Sequence, residues 1–128
     1  MIEENEKIPS IVLAVSEADK SLSGLDELFN GIEEEEIPVS IQSIADGDTF
    51  IRAHKAALSS KLAVGIAFDQ DMVVLHHKNL KEREPLFVID RSNQQMLRSL
   101  GANAARLVKG TPFKKLKGGT LFEIIRIS

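Results

Sequence analysis

The sequence contains no cysteine, tryptophan or tyrosine, and each absence excludes a kind of chemistry. Without cysteine, the chain has no disulfide framework, no thiolate metal site and no cysteine nucleophile. Its large aromatic side chains are six phenylalanines, which we expect in the core. A stacking platform for single-stranded nucleic acid is therefore not expected.

Long apolar runs are also missing, so the sequence predicts no ordinary membrane-spanning helix, which needs about 18 such residues. The start, MIEENEKIPS, is acidic and lacks the basic region of a secretory signal. We therefore expect a cytoplasmic protein. With 128 residues, 43% of them hydrophobic, residues 1–128 have the size of a single domain with one core.

Motifs of common active sites are absent as well. The chain has no GxGxxG, no GxxxxGK[ST] and no GxSxG, so neither a phosphate loop nor a serine-hydrolase elbow is predicted. His76 and His77 are adjacent on a predicted strand and face opposite sides, while His54 lies on a separate helix, so we reject a zinc site. Asp69 and Asp71 fit a hairpin turn better than a catalytic carboxylate pair.

The net charge of −3 conceals a split along the chain. Residues 1–36 contain eleven acidic residues and two lysines, whereas residues 72–128 contain four acidic residues and eleven lysines and arginines. Two interpretations remain open: the two parts face each other in the folded chain, or their fields steer a partner. The overall acidity argues against nucleic-acid binding.

Apolar patterning predicts an alternation of strands and helices. Strands are expected at 10–15, 39–44, 62–68, 72–77 and 85–89, and helices within 22–36, 49–60 and 92–109. Only three residues separate the third and fourth strands, which implies an antiparallel hairpin. We therefore predict an α/β fold, a small three-layer sandwich with a mixed, mostly parallel sheet of about five strands. Residues 113–128 fit either an edge strand or a loose tail.

Local signals refine this prediction. Asp48 is expected to cap the second helix, with Leu58 facing inward, and Ser92 is expected to open the third helix through a capping box. Gly65 indicates close approach by a neighbouring backbone, and Gly110 should end the third helix.

The stretch GIEEEEIPVS, residues 31–40, places four glutamates at a helix end that Pro38 enforces. Acidic side chains in the last helical turn are disfavoured by about 0.3–1 kcal/mol each. Successive helical side chains point about 100° apart, so the four cannot converge on one ion, and a complete oxygen site needs ligands from elsewhere. The residues alone fit either a solvated acidic end or a contact with a cation or a partner's arginine.

Three segments, in order, carry a resemblance to a known family: GIEEEEIP, LAVGIAFDQDMVVLHHKNL and GANAARLVKGTPF. They resemble the small subunit of the reactivating factor for coenzyme B12-dependent diol and glycerol dehydratases, over roughly residues 8–113. The resemblance implies the fold of the dehydratase medium subunit and no catalytic residue or cofactor of its own.

The resemblance also implies partners. In that family, the small subunit forms a heterotetramer with a large, Hsp70-like ATPase subunit that binds ATP or ADP. The large subunit exchanges its small subunit for the medium subunit of an inactivated dehydratase, so that damaged cobalamin leaves. The client, for glycerol or 1,2-propanediol, and association with a propanediol-utilisation microcompartment stay open. Rival hypotheses are the dehydratase medium subunit itself and a free-standing α/β domain that binds a small ligand.

Finally, the resemblance implies a divalent cation, Mg²⁺ or Ca²⁺, shared with the large subunit. Motif position places the ligand at Glu34, with Glu33 and Glu35 as neighbouring candidates, and the partner interface at Glu33, Glu34, Glu35, Lys78 and Asn79. It implies that the counter-charge for the helix end arrives with the partner. The family pattern has a left-handed glycine before the Ile-Pro step, where this chain has Glu36.

Overall fold

The computed structural model describes residues 8–114, which form five strands and three helices. The strands are β1 Ile11–Val15, β2 Val39–Ser43, β3 Val64–Phe68, β4 Met72–His77 and β5 Phe87–Asp90, and the helices are α1 Asp26–Glu34, α2 Thr49–Ser59 and α3 Gln94–Lys109. Every strand and helix predicted within these residues is found. The strand or tail predicted for 113–128 lies outside the described residues, apart from Phe113 and Lys114.

The sheet has the strand order β2-β1-β3-β4-β5. Strand β1 pairs in parallel with β2 and β3, and β4 pairs antiparallel with β3 and β5. Four strands therefore run in one direction and β4 opposes them, which confirms the predicted mixed, mostly parallel sheet. We call the edge where the four strands begin the amino edge, and the opposite one the carboxyl edge.

Helices cover both faces of the sheet, as a three-layer sandwich requires. Along β1, Ile11 and Leu13 enter the larger core under α1 and α3, while Val12 and Ala14 enter a smaller core under α2. This strand is buried on both faces because helices lie on both sides of it. The predicted fold class is confirmed.

Helix α2 contacts the sheet through small residues. A Cβ atom at Gly65 would lie 2.2 Å from the backbone nitrogen of Ala57 and 2.6 Å from the carbonyl oxygen of Ala53, so the predicted close approach is confirmed. The prediction that Leu58 faces inward is wrong, since its side chain is 57% exposed. Helical rotation carries Leu58 about 100° past Ala57, out of the buried face.

Helix ends follow local side-chain chemistry. Asp48 caps α2, and its carboxylate accepts a hydrogen bond from a backbone N–H at 3.0 Å, as predicted. The capping box at Ser92 is wrong: Asn93 caps α3, while the Ser92 hydroxyl donates to Asp90 at 2.8 Å in the preceding turn. Gly110 ends α3 as predicted, and it does so in the left-handed conformation, with φ of 73°.

Helices α1 and α3 contact each other backbone to backbone. An added Cβ at Gly31 would lie 2.1 Å from the carbonyl oxygen of Arg98, and one at Gly101 would lie 2.1 Å from that of Leu28. Both helices start at the carboxyl edge, after β1 and β5, so they run in the same direction. Their C-terminal ends therefore meet at the amino edge.

We expect Gly101→Ala to destabilise the protein by about 1–3 kcal/mol, because a methyl group there must displace the backbone of α1. Alanine is otherwise the better helix former by about 0.8–1 kcal/mol, so a loss of stability can only come from the contact. Urea unfolding measures the change. The control Gln95→Ala, exposed on the same helix, should stay within about 0.5 kcal/mol, and an unchanged midpoint for Gly101→Ala would contradict the close crossing.

Candidate functional site

The four glutamates Glu33–Glu36, here called the acidic end, close α1 at the amino edge. Beyond them the chain turns directly into β2, and the carbonyl oxygen of Pro38 accepts a hydrogen bond from the backbone N–H of Ile11 at 2.9 Å. The acidic end thus sits beside the first residues of β1 and β2. Its position is fixed by the sheet rather than by a free loop.

Glu36 adopts the left-handed conformation, with φ of 64°. This confirms that the position before the Ile-Pro step is left-handed, although a glutamate stands there. A residue with a Cβ atom in this conformation costs roughly 1–2 kcal/mol. This conformation turns the chain away from the axis of α1, so the helix cannot continue beyond the acidic end.

Helix α3 supplies a cation to Glu34. The two terminal nitrogens of Arg98 hold two different carboxylates of α1: Nη2 pairs with Oε2 of Glu34, and Nη1 lies 2.8 Å from Oε1 of Glu27. These contacts hold the pKa of Glu27 below its ordinary value and raise that of Arg98. Glu34 remains 45% exposed.

Glu35 is held more firmly, by two cations in the last turn of α3. Its Oε1 lies 2.7 Å from Nζ of Lys109 and its Oε2 lies 3.1 Å from Nε of Arg106. The hydrogen bond from Lys109, followed by that from Arg106, lowers the pKa of Glu35 below its ordinary value. Only 15% of this side chain is exposed.

The expectation that all counter-charge arrives with a partner is therefore wrong for Glu34 and Glu35. The acidic first third and the basic last part of the chain face each other here, which was one of the two interpretations of the charge split. Glu33 and Glu36 are exposed, and neither forms a side-chain hydrogen bond or ion pair with another of the residues 8–114. They add unbalanced negative charge to this surface.

The described part of the chain gathers no three His, Asp or Glu side chains that could hold a metal ion. Glu34 is thus placed as a single exposed carboxylate with one oxygen, Oε1, outside the Arg98 pair. Lys78 and Asn79 follow β4 and are exposed at the amino edge, where the backbone N–H of Lys78 donates to the carbonyl oxygen of Ala63 at 3.0 Å. All five predicted interface residues therefore share one edge of the sheet.

The histidines come closer together than the sequence predicted. The rings of His54 and His76 lie 4.7 Å apart, although no local pattern links positions so distant in sequence. His76 is fully buried; its Nε2 bonds to the carbonyl oxygen of Glu82 at 3.0 Å and its Nδ1 accepts from the backbone of His77 at 3.0 Å. Burial lowers the pKa of His76, and both nitrogens are engaged by backbone, so its role is structural.

At the carboxyl edge, a buried arginine fills the crevice between β1 and β3. This is where open α/β sheets of this kind bind ligands. The Arg52 side chain, 4% exposed, donates to the carbonyl oxygen of Phe68 at 2.9 Å and to Thr49 at 3.2 Å, and lies 3.5 Å from Asp19. Thr49 in turn donates to Asp69 at 2.6 Å. These side chains occupy the crevice themselves, which weakens the hypothesis of a free-standing small-ligand domain.

An open groove of about 910 Å³ runs beside β2, lined by serines, aliphatic residues and Lys61. Its serines bond to one another and to backbone: the Ser10 and Ser40 hydroxyls lie 2.8 Å apart, and that of Ser60 donates to the carbonyl oxygen of Ser10 at 2.6 Å. With one ionisable side chain, the groove offers no acid–base pair. The acidic end remains the strongest candidate site.

A sequence model of the dehydratase medium subunit matches residues 8–114. The chain belongs to the dehydratase medium subunit family. Within residues 8–114, none of the helices is both long enough and apolar enough to traverse a bilayer.

Two similar proteins are small subunits of reactivating factors. The chain is 44% identical to the diol dehydratase-reactivating factor small subunit of Klebsiella michiganensis, over 88% of this chain and 89% of the relative. It is also 44% identical to the propanediol dehydratase-reactivating factor small subunit of Salmonella typhimurium, over 90% of this chain and 98% of that relative. A solved diol dehydratase-reactivating factor complexed with ADP and Mg²⁺ superposes with a TM-score of 0.75, at 44% identity over 84% of this chain and 98% of that one.

We expect Glu36→Gly, which places glycine at this left-handed position, to stabilise the chain by about 0.5–1 kcal/mol. Relief of the left-handed strain outweighs the extra freedom of glycine in the unfolded state. Thermal and urea unfolding measure it. The matched control is Glu33→Gly, three residues earlier and inside α1, which should destabilise the chain by up to about 1 kcal/mol. Equal losses of stability in both variants would contradict this account.

We expect stability to fall in acid partly through Asp69. Burial raises its pKa, but hydrogen bonds from Thr49 and the backbone of Asp71 and Met72, with Arg52 nearby, outweigh burial and hold the pKa below its ordinary value. The contribution of Asp69 to the free energy of unfolding is therefore complete above the unfolded-state pKa of about 3.9. It is lost as the pH falls through the lower pKa of the folded state.

Asp69→Asn should lose about 1–3 kcal/mol at pH 7 and show a flatter loss of stability below about pH 4. Urea unfolding from pH 7 to pH 3 measures both effects. The control Asp46→Asn alters a side chain that is 87% exposed and should stay within about 0.5 kcal/mol at pH 7. An acid slope in Asp69→Asn identical to that of the wild type would remove Asp69 as its source.

Proposed function

We propose that this chain is the small, non-catalytic subunit of a reactivating factor for coenzyme B12-dependent diol or glycerol dehydratase. The observation that carries this proposal is the near full-length match: 44% identity over 98% of the Salmonella small subunit. The site geometry supports a binding role. Charged residues at the amino edge pair with one another rather than surrounding a reactive centre.

The proposed partner is a large, Hsp70-like ATPase subunit, with which the chain forms a heterotetramer. Support comes from the related factor that was solved with ADP and Mg²⁺. This chain has no phosphate-loop motif, so we assign ATP and ADP to the large subunit. The whole of residues 1–128 is proposed to act as one domain in that assembly.

The proposed mechanism is subunit exchange, and the family fold supports it. A chain built like the dehydratase medium subunit can compete with that subunit for one surface. When the large subunit takes the medium subunit of an inactivated dehydratase, the enzyme loosens, damaged cobalamin leaves and intact coenzyme enters. We place the factor in the cytoplasm; it enters a microcompartment if its client is packaged in one.

We propose that Glu34 would be this chain's ligand to a divalent cation, Mg²⁺ or Ca²⁺, that is shared with the large subunit. Glu34 has one carboxylate oxygen outside its arginine contact, whereas Glu35 has both engaged. Attraction between unit charges at 4 Å is about 4 kcal/mol at an effective dielectric constant of 20, enough to hold a reversible contact. Glu33, Lys78 and Asn79 would extend the same surface.

We expect Glu34→Gln to weaken the complex with the large subunit by about tenfold in Mg²⁺ and hardly at all in EDTA, because the amide cannot balance the cation's charge. Biolayer interferometry on the co-expressed large subunit measures both affinities. The control for loss of one negative charge is Glu17→Gln, because that side chain is 96% exposed and lies at the carboxyl edge, away from the proposed interface. Equal affinity with and without metal would remove the cation, and failure of the wild-type chain to bind the large subunit would remove the proposed function.

A further inference from the structure

We propose that Arg98 is an internal counter-ion that competes with the interface cation for Glu34, with Glu27 as its second anchor. This inference rests on the proposed role of Glu34 at the interface. Competition of this kind would set the cation concentration that the subunit needs in order to bind its partner.

The geometry of Arg98 permits a partial release. Its Nη1 binds Glu27 and its Nη2 binds Glu34, so each carboxylate has its own nitrogen. Glu27 and Glu34 stand two helical turns apart on one face of α1, with the guanidinium between them. Glu27 also accepts from Asn30 at 3.3 Å, through its other oxygen. The Glu34 contact can therefore break while Arg98 stays on Glu27.

Exposure distinguishes Glu34 from its neighbour. The Glu34 and Arg98 side chains are 45% and 44% exposed, so water and ions reach their contact. Glu35 is 15% exposed and is held by two cations, Arg106 and Lys109. Exposed single pairs contribute little to stability, so exchanging Arg98 for another cation at Glu34 is nearly balanced. Glu34 is thus both positioned in the free subunit and available on docking.

The exchange involves no bond breaking and no proton transfer. In the free subunit, Arg98 neutralises Glu34 and discourages a lone ion, since one carboxylate is a poor site by itself. On docking, the partner adds the missing ligands, the cation replaces the guanidinium at Glu34, and Arg98 remains with Glu27. The strength of the Arg98 contact therefore sets the cation concentration at which the complex forms.

The test measures the MgCl₂ concentration that gives half-maximal complex between the full chain and the large subunit, by biolayer interferometry. Arg98→Gln should lower this concentration about two- to fivefold, the range expected for removing one exposed ion pair. Glu27→Gln should raise it, because Arg98 then has Glu34 alone. The matched control is Arg106→Gln, which removes one positive charge from the same helix but leaves Glu34 paired, and it should shift the value less than twofold.

Urea unfolding of each variant alone shows that it is folded before binding is measured. Arg98→Lys keeps the positive charge but has a single ammonium group as donor, so its half-maximal MgCl₂ concentration should lie between those of Arg98→Gln and the wild type. An unchanged or higher Mg²⁺ requirement in Arg98→Gln would overturn the inference, as would an equal shift in Arg106→Gln. If Glu34→Gln weakens the complex but Arg98→Gln does not lower the Mg²⁺ concentration that the complex needs, this inference alone fails. If Glu34→Gln has no metal-dependent effect, the proposed cation site itself fails.

Discussion

The close crossing of α1 and α3 determines how charge is arranged in this protein. Gly31 and Gly101 let the two backbones touch, and any side chain at either position would meet a carbonyl oxygen of the other helix. Since both helices run from the carboxyl edge to the amino edge, the crossing also brings their C-terminal ends together. Every ion pair of the acidic end depends on that alignment.

Two helix C-termini, each with a partial negative charge, meet at one edge of the sheet, and the side chains of their last turns have opposite charges. Helix α3 ends with Arg106 and Lys109, which suit a C-terminus, whereas α1 ends in glutamates, which do not. Because the ends lie side by side, the cations of α3 serve both helices. The unfavourable sequence of α1 is thereby tolerated without a partner, with Glu33 and Glu36 left over as surface charge.

Much of the fold could be predicted because its signals are local. The apolar runs of β1, β3 and β4, the three-residue hairpin and the caps at Asp48 and Gly110 depend on neighbouring residues alone. The pairs between Glu34 or Glu35 and α3 join positions more than 60 residues apart, and the contact of His54 with His76 spans two elements. No periodicity encodes such contacts, so the charge split left open whether the two parts of the chain face each other, and only the resemblance implied that the counter-charge comes from a partner.

Under the proposed function, the subunit has to satisfy two opposing demands: it must be stable alone, and it must present groups that bind the partner. The acidic end meets the first demand through Glu35, whose carboxylate is mostly buried between two cations. We propose that Glu34 serves the second demand, since its single arginine contact is open to solvent. Adjacent residues at the end of one helix can thus differ in this way because α3 holds Glu35 with two cations and Glu34 with one.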